Sequence, residues 1–197
     1  MKLITSLALS LGLFSSILFS NTEIEKVAVN KTESTVSWKA SKVTGEHFGK
    51  VNISDANLDY ESGKILGGSF EIDMTSISVE DIKDANSNQR LVNHLKSDDF
   101  FSVEKHKNST FKITKATSSN GKDFQITGDL VIKGISSPVT FPVQVTEAGN
   151  KVTATGKITF DRTKYDIKYR SGNYFENLAD KMIYDEVTLD VILVGMK

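Results

Sequence analysis

Apolar and polar residues alternate along most of this chain. Val36, Trp38 and Ala40 interleave with Thr35, Ser37, Lys39 and Ser41. Phe70, Ile72 and Met74 interleave with Glu71 and Asp73, and Phe111 and Ile113 with Lys112 and Thr114. The same beat runs through Phe124 to Ile132, Val139 to Val145, Val152 to Phe160 and Val187 to Leu193. A period of two over so many segments predicts antiparallel strands with one face inside and one in water.

The phase breaks once. Val51 and Ile53 fall on odd positions, whereas Ala56, Leu58 and Tyr60 fall on even ones, which predicts a β-bulge near Ser54-Asp55. Turn residues at Glu61-Lys64, Ser119-Lys122 and Ala148-Asn150 are short and predict sequential hairpins. Pro142 has no backbone donor, so one side of its strand should face an edge or a bulge. Between about residues 80 and 100 the spacing changes. Leu91 and Leu95 are four apart in a polar stretch, which predicts a short helix capped by Asn86, Ser87 or Asn88. Ser97-Asp98-Asp99 should end it and return Phe100 and Phe101 to the core. About eight hairpin-linked strands with one helical insertion fit either a sandwich or a barrel.

The first twenty residues add an address. Lys2 is the only charge before Glu23, and Leu7 to Phe19 is apolar, with the small Ser20 behind it. This is the pattern of a secretory signal peptide over residues 1–20, with residues 21–197 forming one domain. Loss of Lys2 leaves 23 basic against 25 acidic residues, a net of −2, which gives no basic excess for nucleic acid. There is no cysteine, hence no disulfide and no thiolate chemistry. No second apolar run reaches spanning length.

Catalytic signals are absent. His47, His94 and His106 share no metal-ligand spacing, and no nucleophile elbow or phosphate loop occurs. His94 and His106 are expected at the surface, so the chain reads as a non-enzyme without a metal. The apolar strand faces are explained by a filled core as well as by a lined cavity.

Several stretches in order shift that balance. They are Gly45-Glu46-His47-Phe48-Gly49, Gly67 to Ile77, His94-Leu95-Lys96-Ser97-Asp98-Asp99-Phe100-Phe101 and Thr127 to Gly134. Pro138 to Phe141, Phe160-Asp161-Arg162-Thr163-Lys164-Tyr165 and Asp185-Glu186-Val187 complete the set. Together they resemble the YceI-like family of bacterial periplasmic proteins from about residue 27 onward. The family often has Gly-Ile after the Arg-Thr-x-aromatic turn; here Asp166-Ile167 follows it.

The resemblance implies an all-β fold, an eight-stranded antiparallel lipocalin-like barrel. It implies an exported, periplasmic carrier for a long-chain amphiphile, such as a polyisoprenoid, an isoprenoid quinone, or a fatty acid or amide. No cofactor is implied beyond that lipid. Partners are limited to this hydrophobic small molecule and a second copy in a homodimer. A lipid chain is held by an apolar tunnel with few polar groups. The expected liners are Trp38, Phe70, Ile72, Met74, Phe101, Phe111, Ile113, Leu130, Ile132, Phe141, Ile158, Phe160 and Leu189, some of them packing the closed end. His47 and the helix near Leu91 to Leu95 are expected to cap the open end, with His47 either donating to a head group or bonded within the protein. Arg162 is expected to pair with Asp185 or Glu186. Two other functions fit the residues: a ligand-free structural β-sandwich, and a lipid-modifying stress enzyme built on His47 and Arg162.

Overall fold

A computed structural model describes residues 26–61 and 63–197. The expected signal peptide therefore lies outside the described residues. The strands are β1 (Lys26–Val29), β2 (Thr35–Lys42), β3 (Gly45–Glu61), β4 (Lys64–Asp73), β5 (Asn108–Ser118), β6 (Asp123–Ile132), β7 (Ile135–Ala148), β8 (Lys151–Asp161) and β9 (Ile183–Met196). Helix α1 (Ala85–Lys96) lies between β4 and β5.

All pairings are antiparallel, and from β2 to β9 each strand pairs with the next. Strand β9 then pairs with β2, which closes the sheet into a barrel and excludes the open sandwich. Nine strands make eight staves, because β1 and β2 share one. Strand β2 pairs with Gly45–Val51 of β3 and Ile183–Ile192 of β9, while β1 pairs with Asn57–Asp59 and Gly195–Met196 beyond them. Four residues are too few for β1 to show a period.

The expected bulge is present: the β3–β4 register shifts between Ile53 and Asp55, so both halves of β3 keep their apolar side chains inward. Pro142 sits where the β7–β8 ladder stops, which begins only at Val143↔Gly156, so its missing N–H breaks no pairing. The β6–β7 hairpin turns on Lys133 and Gly134, both at positive φ (53° and 73°), the geometry of a two-residue turn that follows the strand twist.

The two ends of the barrel differ. The floor is made of the hairpins β3–β4, β5–β6 and β7–β8, with Tyr60, Val27, Val145 and Val152 almost wholly buried beneath them. Tyr60 donates a hydrogen bond to Glu147, which also accepts from Lys197 Nζ at 2.5 Å. Burial, and then this bond, push the Tyr60 hydroxyl up to about 12. The roof is made of longer segments outside the ladder, 74–107 and 162–182.

Helix α1 is capped two to four residues ahead of the expected positions. Asp84 caps it, accepting from Ser87 N–H at 2.8 Å. Asn88 is engaged elsewhere. Its Nδ2 donates to the carbonyls of Val79 (2.8 Å) and Ile82 (3.0 Å), tying the helix to the strap before it. That strap lies along β3, with Ser78 N–H donating to Lys50 O and Glu80 N–H to Phe48 O. Trp38 Nε1 donates to Ser78 O at 3.0 Å across Gly49. A Cβ on Gly49 would lie 1.9 Å from Ser78 O, so no side chain fits. Gly49→Ala is expected to cost about 1–3 kcal/mol by pushing the strap off β3. Equilibrium urea unfolding checks this, and an unchanged midpoint would refute the close approach.

Candidate functional site

The interior of the barrel holds two cavities, one above the other. The lower has a volume of about 100 Å³ and the upper about 110 Å³. Val36, Ile72, Ser109, Leu130 and Leu189 border both and form the waist between them. The polar side chains at the walls are Ser109 and Thr110 below, and Ser109 and Arg162 above. The hollow follows from the fold, since eight tilted staves leave an interior that side chains nearly fill or that holds one small ligand.

All thirteen apolar residues singled out from the sequence border this space. Phe70, Phe111, Ile113, Phe141 and Ile158 line the lower cavity. Trp38, Met74, Phe101, Ile132 and Phe160 line the upper, and Ile72, Leu130 and Leu189 stand at the waist. Met74 reaches its place from a 3-10 turn (Met74–Ser76) rather than from a strand. Phe70 and Phe111 stack with centroids 6.3 Å apart, and Phe111 meets Phe141 at 5.5 Å. A Cβ on Gly128 would lie 2.3 Å from the Phe111 ring, so this glycine makes room for the aromatic wall. Other liners, among them Val51, Ile53, Leu58 and Ile126, share the inward phase of their strands and were readable by the same alternation.

His47 lines neither cavity, and of its two expected roles the structure shows the bond within the protein. The inward phase of Val51 and Gly49 extends to His47, but the strap crosses β3 at this height and supplies a partner. His47 Nδ1 donates to Asp81 Oδ2 at 2.7 Å, and Phe48 N–H donates to Asp81 Oδ1 at 3.1 Å. Burial raises the Asp81 carboxyl, but the hydrogen bonds from His47 and Phe48 outweigh it and hold the group below its ordinary range. The stabilisation from this depressed carboxyl is full above the ordinary value of about 4 and is lost as pH falls through the lowered one. Asp81→Asn is therefore expected to destabilise by about 1 kcal/mol at neutral pH, with the gap closing in acid, below the ordinary carboxylate range. Urea midpoints at both pH values test this; a gap independent of pH would refute it.

Sequence reading also missed how the roof is joined. His94, expected at the surface, is half-buried against Phe100 (5.0 Å between centroids) and Tyr169 (4.7 Å), and its Nε2 lies 2.9 Å from Asp99 Oδ2. These rings link the helical segment to the 162–182 segment. His106 is half-buried beside Gly134, not fully solvated. Leu95 and Phe100 close the upper cavity from one segment and Ile167 and Ile183 from the other side.

Arg162 anchors the second roof segment and is only 3% exposed. Its Nε donates to Tyr184 O (3.1 Å), Nη1 to Ile167 O and Tyr169 O (both 2.9 Å), and Nη2 to Ile183 O (3.0 Å). The expected partner is present, with Nη2 3.0 Å from Asp185 Oδ1. Asp185 Oδ2 accepts from Ser171 Oγ and Asn173 Nδ2, both at 2.8 Å. Burial lowers the pKa of Arg162, with Asp185 and Asp161 opposing the shift. Its donors are directed at the protein's own carbonyls.

A closed barrel with an apolar interior and a helix in its roof can now be set beside known proteins. The profile of the YceI-like domain matches residues 27–194. The chain belongs to the YceI-like family. A UPF0312 protein of Shewanella denitrificans is 27% identical over 155 residues, covering 76% of this chain and 74% of that protein. One of Pseudomonas putida is 30% identical over 108 residues, covering 54% of this chain and 53% of its own length. Among solved structures, Burkholderia cenocepacia BcnA matches with a TM-score of 0.69 at 22% identity, over 84% of this chain and 98% of that one. A Saccharophagus degradans domain described as polyisoprenoid binding matches with a TM-score of 0.62 at 11% identity, over 88% and 99%. At these identities the structural likeness is one of fold. Among the described residues no helix is long and apolar enough to cross a membrane.

Proposed function

We propose that this YceI-like protein is an exported, non-enzymatic carrier that holds a long-chain amphiphile inside the barrel. The observation that carries this reading is the pair of stacked apolar cavities with Ser109, Thr110 and Arg162 as their polar side chains. Strands of ten residues, such as β6, span about 25 Å of barrel axis at the usual rise and tilt, the reach of a long prenyl or acyl chain. Burial of methylenes at ~0.8 kcal/mol each supplies affinity without head-group chemistry. The S. degradans neighbour, described as polyisoprenoid binding, supports a prenyl chain, an isoprenoid quinone included. Fatty acids and amides offer the same methylenes for burial. The two groups on which catalysis would rest are already committed, His47 to Asp81 and Arg162 to four carbonyls. Export to the periplasm rests on residues 1–20.

Native mass spectrometry of protein purified from its host is expected to show one co-purifying lipid per chain. Trp38, the sole tryptophan, borders the upper cavity, so its emission reports refilling after delipidation. Ligand-free protein whose Trp38 emission ignores polyprenols, quinones and fatty amides alike would refute the carrier reading.

A further inference from the structure

Several large apolar side chains stand in water, and four share one corner of the roof. Val43, Tyr174, Phe175 and Tyr184 are each between 48% and 51% exposed. Backbone contacts bring them together. Val43 N–H donates to Met182 O, and Ile183 N–H to Arg170 O. Tyr174 and Phe175 N–H both donate to Ser171 O, while the side chains of Ser171 and Asn173 hold Asp185 beside Tyr184. The patch thus spans the β2–β3 hairpin, the 170–175 turn and the start of β9. None of the four lines a cavity, so cargo burial does not explain them.

The same loop is strained. Asp166, Arg170, Asn177 and Ala179 all have φ between 48° and 57°, a region that costs a residue with a side chain of order 1 kcal/mol. Such strain collects where a segment moves or binds. Here the segment begins at Ile167, which closes the upper cavity, and ends at Ile183, which also lines it.

The geometry points to a lipid bilayer as the partner of this corner, with the 166–182 loop as the part that shifts to pass the cargo. The inference rests on the carrier reading, because a chain that fills apolar cavities is scarcely soluble and must arrive from a bilayer. The residue types fit that surface. Tyrosine and phenylalanine anchor at the level of lipid head groups, and Lys42, Lys168 and Lys181 flank them, with Lys168 Nζ 5.0 Å above the Tyr174 ring. Asp166, paired with Lys168 at 2.7 Å, and Glu176 and Asp180 in the same loop offset these charges, so aromatic insertion carries the contact and its salt dependence is shallow.

The test is flotation with vesicles of phosphatidylethanolamine and phosphatidylglycerol, paired with transfer of a pyrene-labelled fatty acid between such vesicles. The mature chain, residues 21–197, is expected to float and to transfer at a rate that rises with vesicle concentration. Tyr174→Ser with Phe175→Ser is expected to cut both by about tenfold or more, while Trp38 emission still reports unchanged binding of the same probe in solution. Val43→Ser should act in the same direction, and unchanged melting of each variant keeps folding out of the comparison. Vesicle binding that survives all three substitutions overturns the inference. So does transfer whose rate ignores vesicle concentration, which would indicate release of the cargo through water. Loss of the Trp38 response in the unaltered protein would instead refute the carrier reading.

Discussion

Arg162→Ala is expected to remove about 3–5 kcal/mol of folding stability, the usual cost of leaving half of a buried ion pair without its partner. For a domain of this size that lowers the melting temperature by roughly 10 °C. The size follows from what the guanidinium does. Four carbonyls of the roof and of β9 receive its N–H groups, and Asp185 lies 3.0 Å from Nη2. Alanine leaves those acceptors without donors and Asp185 with only Ser171 and Asn173. Arg162→Lys is expected to recover little, because one ammonium cannot reach carbonyls spread around a planar fork. Arg162→Met separates packing from polarity: if the methionine variant is as stable as the native protein, the side chain acts by volume and the hydrogen bonds are not the cause. Because the anchored segment closes the upper cavity, both weak variants should also exchange the backbone amides of Ile167 and Ile183 faster than those of β6. Chemical denaturation and hydrogen exchange read the two effects separately.

Local rules were legible and distant ones were not. Alternation located eight of the nine strands, and the change of parity at Ser54-Asp55 located the bulge, because side-chain phase is set within a few residues. It placed thirteen side chains on the inner wall for the same reason. It could not tell a hollow from a filled interior. That depends on β9 returning to β2, a closure between residues some 150 apart whose geometry no single strand encodes. The family motifs, not the period, pointed to the barrel. His47 shows the limit most clearly. Its parity is inward, yet the strap from Ile77 to Ile82 crosses there, and nothing in the spacing of β3 announces a crossing segment. The helix cap failed for a simpler reason. Asp84, Asn86, Ser87 and Asn88 are all good caps, and the choice fell to Asp84 because Asn88 is held by Val79 and Ile82.

Leu189→Trp is expected to weaken binding of a long-chain ligand by about 100-fold or more while leaving short chains nearly unaffected. Leu189 borders both cavities, opposite Trp38 on β2 and Ile158 on β8 in the strand register. An indole there fills the waist. A chain that threads both cavities is then confined to one, and each methylene denied burial costs ~0.8 kcal/mol, so four lost methylenes already amount to about 200-fold. Folding stability should hold or rise, because the added ring occupies space that is empty without ligand. This opposite sign separates a blocked tunnel from a damaged fold. Ile72→Trp, which enters the waist from β4, should reproduce the pattern. The measurement is a series of straight-chain fatty amides of increasing length, titrated against native and variant protein with a fluorescent competitor. In the native protein affinity should climb with length until both cavities are filled. In the variants it should climb with the same slope and stop early. Parallel curves that reach the same length would mean that the ligand lies in one cavity only, and that the waist is a wall rather than a passage.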